Sequence, residues 1–280
     1  KRHVWSIESK VSFEGNGQAV KASLAIPDSQ TGFTRVAEHT ASAGYGLSYL
    51  GGPEQGRRAE WSISEASGRQ VLYYRVDVLV DSDAYVEEPA PQPQSQLSGR
   101  GPFVTAAKSI LTQAKKRSAD ANTLARELVR EFNTQVETSQ LLLQKYSRSE
   151  WLVKLLQESG VSAREVQVLK LEDGRRRQRL HSYVQVFSDG SYSLFDPQVG
   201  QVEDTGSLLM WEYRSRSVLD LMGGTNSRVS FSVIEQELPI DDLSIRRTMQ
   251  QTSLVDLSIH SLPLEEQALF KGILLLPVGV

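Results

Sequence analysis

With 280 residues, 39% of them hydrophobic and 23% charged, the chain is long enough for two cores and too apolar to be disordered. A net charge of −3 without a basic stripe excludes an electrostatic case for nucleic acid. The absence of cysteine excludes disulfides, thiolate metal sites and a thiol nucleophile.

Residues 3–86 read as β structure. "VWSIESKVSF" and "AVKASLAIP" alternate apolar and polar residues, and Gly15-Asn16-Gly17 between them is a turn signal. "AEWSISEASGRQVLYYRVDVLV" repeats the pattern around Ser67-Gly68, with Trp61 and Ile63 before it and Leu72, Tyr74, Val76 and Val78 after it. Short strands punctuated by glycine and proline predict an N-terminal β-sandwich-like domain over residues 1–86. "EEPAPQPQSQLSGRGP", residues 87–102, carries four prolines and reads as a semi-rigid, solvated linker.

From Phe103 the period changes to that of helices. Leu124, Leu128 and Phe132 recur at i, i+4 and i+8 on one face. Asp120 and Ser149 are expected as N-caps, and Gly160 as the stop of "SEWLVKLLQES". Strands return with "REVQVLKLE", the hairpin in "LHSYVQVFSDGSYSLFDPQ", and "RVSFSVIEQEL" after a Gly223-Gly224 turn. Helices followed by an antiparallel sheet predict an α+β domain over residues 103–270. From Gly272 to Val280 the chain carries no charge. Residues 271–280 are expected to begin a transmembrane helix, a crossing that takes ~20 residues; a last core strand is the alternative.

The hairpin carries the candidate chemistry. Asp189-Gly190 suits a type I′ turn, which sets Ser188 opposite Ser191 and, counting outward, Tyr183 opposite Asp196. His181 is then a diagonal neighbour of Asp196 on the same face, ~7–8 Å away. An aspartate that orients an imidazole would serve a nucleophile; a structural hydrogen-bonded pair at the hairpin base is the plainer expectation. His3, His39 and His260 are scattered without ligand spacing, so no metal and no cofactor is expected.

"HSYVQVFSDGSYSLFDP" resembles the papain/transglutaminase-like core pattern of a histidine, a tryptophan, an acidic residue and an aromatic strand ending in Asp-Pro. "EWLVKLLQESGVSAREVQVL" resembles the preceding helix and turn, here Gly160-Val161-Ser162-Ala163-Arg164. The resemblance puts the catalytic cysteine at the start of that helix, at Lys145, Tyr146 or Ser147, none of which is cysteine. Tyr183 replaces the tryptophan and Gln185 the acidic residue. With the opening "VWSIESKVSF" and the segment "LLMWEYRSRSVLDLMGGTNSRVSFSVIEQ", the chain resembles a bacterial family of inactive transglutaminases fused to seven transmembrane helices.

That resemblance implies a pseudoenzyme on the periplasmic face of an inner membrane, joined to its own transmembrane domain and linked to an ATP-grasp peptide ligase. His181 and Asp196 would be remnants of a triad. Ser147, Arg148, Ser149, Arg164, His181, Tyr183 and Asp196 are the expected binding residues for a peptide-like ligand or partner protein. Two other readings stay open: a purely structural scaffold, and an active hydrolase or acyltransferase using Ser147 or Ser149 with His181 and Asp196.

Overall fold

The computed structural model describes residues 2–52, 56–213 and 216–238. Strands β1 (Arg2–Ala25), β2 (Phe33–Ala41), β3 (Gly46–Leu50) and β4 (Arg58–Val80) come first. Helices α1 (Pro102–Lys115), α2 (Ala121–Thr134), α3 (Val136–Leu143) and α4 (Arg148–Glu158) follow. Next come β5 (Ala163–Lys170), β6 (His181–Ser188), β7 (Ser191–Asp196), β8 (Gly200–Gln201) and β9 (Leu208–Glu212). The last described strands are β10 (Leu219–Met222) and β11 (Gly224–Leu238). Helices and antiparallel sheets together make the α+β class expected. The chain divides into one unit of residues 1–87, 169–179 and 216–280 and another of 88–168 and 180–215.

The first unit corrects two expected turns. Gly15-Asn16-Gly17 and Ser67-Gly68 lie within β1 and β4, facing each other as Gly15↔Gly68 and Asn16↔Ser67. The register shifts at Gln18, forming a bulge. An extra residue reverses which alternate positions point inward. On β1 the buried residues are Ile7, Val11 and Phe13 before the bulge, then Val20, Ala22 and Leu24 after it. On β4 they change from Ala59 and Trp61 to Leu72, Tyr74, Val76 and Val78. A Cβ on Gly15 would lie 2.6 Å from the Ala66 carbonyl oxygen, so glycine here lets two strands bend against each other.

A six-stranded sheet results, ordered β10-β1-β4-β2, with β11 also on β1 and β3 also on β4. This corrects the placement of "RVSFSVIEQEL" in the second domain: β11 pairs with β1 from Gly15↔Gly224 to Arg2↔Leu238. Gly223 is a kink between two strands that both run along β1, with φ at 84° and space for no side chain. The buried charged residues of this unit include Glu38, Arg58 and Asp81. Glu38, 1% exposed, accepts from Arg57 Nη1 at 2.7 Å and Nη2 at 2.8 Å, and from the Tyr74 hydroxyl at 2.5 Å.

In the second unit, local signals behave as read. The Asp120 side chain caps α2 through the Thr123 N–H, and Leu124, Leu128 and Phe132 are 5%, 0% and 1% exposed. Each such burial contributes ~1.5–3 kcal/mol. One cap moves: α4 is capped by Ser147, two residues before the serine expected. The five-stranded sheet runs β8-β7-β6-β5-β9. One face shares a core with the helices through Ala163, Val184, Val186 and Phe195. The other buries Val166, Val168, Tyr183, Leu194 and Met210.

The proline-rich segment is not wholly solvated. Glu158 Oε2 accepts from Ser95 Oγ, Gln96 N and Leu97 N at 2.7, 2.9 and 3.1 Å. Ser162 Oγ donates to the Pro91 carbonyl. Extended backbone that cannot bond to itself leaves such groups free for its neighbours. The expected membrane segment 271–280 lies outside the described residues. Among those described, no helix is long and apolar enough to cross a membrane.

Candidate functional site

The site expected at the start of α4 is in the second unit. Ser147 Oγ accepts the Glu150 N–H at 3.2 Å, so its oxygen satisfies one of the orphan donors of the first turn. It also lies 3.2 Å from Ser149 Oγ. Ser149 is 2% exposed. The two neighbouring positions are aromatic anchors: Tyr146 packs edge-on against Trp151 at 5.1 Å, and Lys145 Nζ lies 5.5 Å from the Phe103 ring centre. Arg148 donates from Nη1 to Asn133 Oδ1 at 2.6 Å and covers the Phe132 ring.

Facing this helix end is a polar group that sequence reasoning missed. Gln167 Nε2 donates to Glu165 Oε1 at 3.0 Å and to Ser182 Oγ at 2.8 Å. Burial raises the Glu165 carboxyl above its ordinary value; the Ser182 hydroxyl opposes the shift, the charge of Glu150 adds to it, and hydrogen bonds from Ser149 and Gln167 oppose it. Three side chains from two strands and one from α4 thus satisfy one another. No signal short of the strand register reveals them, because Glu165, Gln167 and Ser182 look like ordinary polar alternates.

The hairpin register is as expected: Ser188 pairs with Ser191 and Val184 with Phe195, which sets Asp196 at the level of Tyr183. Val184, Val186 and Phe195 point to the helices. Alternation therefore sends His181, Tyr183, Gln185 and Asp196 to the opposite face. Tyr183 is 5% exposed, in the cluster with Val166, Val168, Leu194 and Met210. His181 is exposed, its ring centre 6.4 Å from that of Tyr183. The Asp196 carboxylate accepts from the N–H groups of Gln198 at 2.8 Å and Val199 at 3.3 Å, closing the turn into β8.

Ser147 and Ser149 stand on the helix side, His181 and Asp196 on the other. The sheet stands between these sets, which removes the geometry that the expected hydrolase of Ser147 or Ser149 with His181 and Asp196 requires. Arg164 also lies on the outer face. It donates from Nε to Gln185 Oε1 and from Nη2 to Glu88 Oε2, each at 2.7 Å. Gln185 is fully buried and donates from Nε2 to the same Glu88 oxygen at 2.7 Å. Among the described residues no group of histidines and carboxylates has the arrangement of a metal site.

Two family models match the chain. One, described as an inactive transglutaminase fused to seven transmembrane helices, covers residues 1–146. The other, described as seven transmembrane helices usually fused to an inactive transglutaminase, covers residues 216–280. The hairpin and α4 fall between the two matches. No curated protein matches the chain. A crystal structure of a candidate cysteine protease from Cytophaga hutchinsonii is similar in fold, with a TM-score of 0.54 at 10% identity, over 86% of this chain and 93% of that one.

Proposed function

The chain belongs to the family of inactive transglutaminases fused to seven transmembrane helices, and from this premise we propose that it is a recognition domain with no catalytic step of its own. It takes a peptide-like ligand or a partner protein on the extracytoplasmic side of the membrane and passes that event to a membrane domain.

One observation carries the reading. Where a thiolate would begin α4, Ser147 is spent on the helix cap and Ser149 is buried beside Glu165. Ser147 is exposed, but its oxygen already accepts the Glu150 N–H, and among the described residues no imidazole on this side of the sheet is there to activate it. The protease-like fold is kept while the chemistry is gone, so what remains for the fold to do is bind. Arg164, His181 and Tyr183 on the outer face, with Arg148 beside α2, are the side chains through which it would do so. Asp196 would hold the hairpin end in shape for them. The ATP-grasp peptide ligase associated with the resemblance fits a peptide-bearing partner.

A thermal-shift screen of the 280-residue chain against short peptides and peptidoglycan fragments tests this reading, since a ligand of the native state raises its melting temperature. Stabilisation by at least one of them is expected. A flat response across both sets overturns the recognition role and leaves a scaffold. A serine-reactive fluorophosphonate should leave the protein unlabelled. A reporter fused to this region in the full-length protein should report from outside the cytoplasm.

A further inference from the structure

The surroundings of Arg164 are more elaborate than a salt bridge needs. Arg164 and Gln185 are direct cross-strand neighbours on β5 and β6. The guanidinium lies over the Tyr213 ring at 4.5 Å and the Phe187 ring at 5.2 Å. Tyr192, paired with Phe187 across β6 and β7, closes another wall, and Met210 touches the Gln185 amide at 3.9 Å. Burial raises the Tyr192 hydroxyl above its ordinary value, and the Glu88 charge adds to that. An arginine braced by a buried amide and walled by aromatic rings is a means of holding one carboxylate in an apolar setting.

The carboxylate now there comes from the start of the proline-rich segment, which forms no helix or strand between Ala84 and Gln96. Only one Glu88 oxygen is engaged, Oε2, which takes both the Arg164 and the Gln185 bonds. Arg164 can grip a carboxylate with two parallel bonds, as its planar fork allows, and the linker does not use that geometry. The segment is otherwise tied at Val86, whose N–H and carbonyl both bond Thr31 Oγ1, at Pro91 and at Ser95–Leu97, and none of these bonds involves the Glu88 side chain. Glu88 can therefore leave its pocket while those ties hold.

We propose that the Arg164–Gln185 pocket is a recognition site for a peptide carboxylate, and that Glu88 is a tethered stand-in that keeps it closed. This rests on the peptide-binding reading and names the group recognised. An incoming carboxylate displaces Glu88, frees residues 88–90, and makes the linker the first element to register binding. A tethered competitor acts at an effective concentration in the millimolar range, so an untethered peptide competes poorly until Glu88 is removed.

The test compares the wild-type 280-residue chain with Glu88→Ala. Three fluorescently labelled probes are titrated: VEEPAPQP capped at both ends, which offers only side-chain carboxylates; acetyl-trialanine acid, which offers only a terminal one; and acetyl-trialanine amide, which offers none. Glu88→Ala should bind one or both acids about tenfold or more tightly than wild type, and the responding probe identifies the source of the carboxylate. The amide should bind neither form. Adding Arg164→Lys to Glu88→Ala, which keeps the charge and loses the fork, should return affinity to the wild-type level or below. Equal binding by wild type and Glu88→Ala overturns the inference and leaves peptide recognition standing elsewhere on the domain. Absence of binding by Glu88→Ala also overturns it, while the thermal-shift screen on wild type decides peptide recognition separately.

Discussion

Glu38 and Glu165 are carboxylates drawn out of water, one in each unit, and they titrate in opposite directions. Burial alone would raise Glu38; the Arg57 hydrogen bonds, the charges of Arg35 and Arg57 and the Tyr74 hydroxyl more than offset it and hold its carboxyl below the ordinary value. Glu165 meets serine hydroxyls, an amide and the like charge of Glu150, so burial prevails and its carboxyl is raised. A buried carboxylate in this protein thus follows its partners: an arginine fork fixes the charge, and hydroxyls leave it inclined to take a proton. Glu88 is a third case, paired with an arginine yet carried on a segment without secondary structure.

Arg57→Ala should break this contrast most. It leaves the Glu38 charge buried without its fork, at a cost of ~3–5 kcal/mol in urea unfolding. A loss under ~1 kcal/mol would mean that Glu38 is not held as described. Tyr74→Phe removes one bond to the same carboxylate and should cost ~1–3 kcal/mol. Glu88→Ala should cost less than Arg57→Ala, ~1–2 kcal/mol, because Arg164 keeps Gln185 and two aromatic faces. Were it to match Arg57→Ala, Glu88 would be a lock and not an exchangeable contact. Ser147→Ala should cost ~1 kcal/mol by uncapping α4, measured by the same unfolding.

The subtlest effect is on pH dependence. Glu38, lowered, contributes stability that is present above the unfolded glutamate value of ~4.3 and is lost as pH falls through its folded value. Glu165, raised, contributes stability that is fully present below ~4.3 and is lost as pH rises through its folded value. Melting temperatures followed upward from pH 4 should therefore fall less steeply in Glu165→Gln than in wild type. An unchanged slope would show that Glu165 does not titrate in this way.

Much of the second unit was legible from local chemistry. Asp189-Gly190 fixed the hairpin register down to Ser188 opposite Ser191, because few residues accept positive φ and Asp189, at 51°, is one of them. The α2 stripe was readable because a helix with one buried face repeats on a 3.6-residue period. The face of the hairpin was not. Tyr183, Val184, Val186 and Phe187 are all buried, so β6 is apolar on both sides and nothing in its pattern says which side meets the helices. Ser147 does stand at the helix start, yet joining it or Ser149 to His181 and Asp196 in one site required that missing parity.

The glycine pairs show the same limit from another side. Gly15-Asn16-Gly17 and Ser67-Gly68 have the composition of hairpin turns, and positive φ at Gly17 and Gly68 satisfies it equally well in a bulge. Which of the two forms depends on whether another bent strand lies alongside, and here each pair supplies that partner for the other. The sequence by itself determined the helical periodicity, the Asp120 cap, the hairpin register and the loss of the thiol, all of which depend on neighbours within a few residues. Tertiary structure decided that β11 joins β1, that Glu165 meets Ser149, and that Glu88 meets Arg164 across 76 positions. Those contacts are set by which faces the folded chain brings together, and no local pattern encodes that.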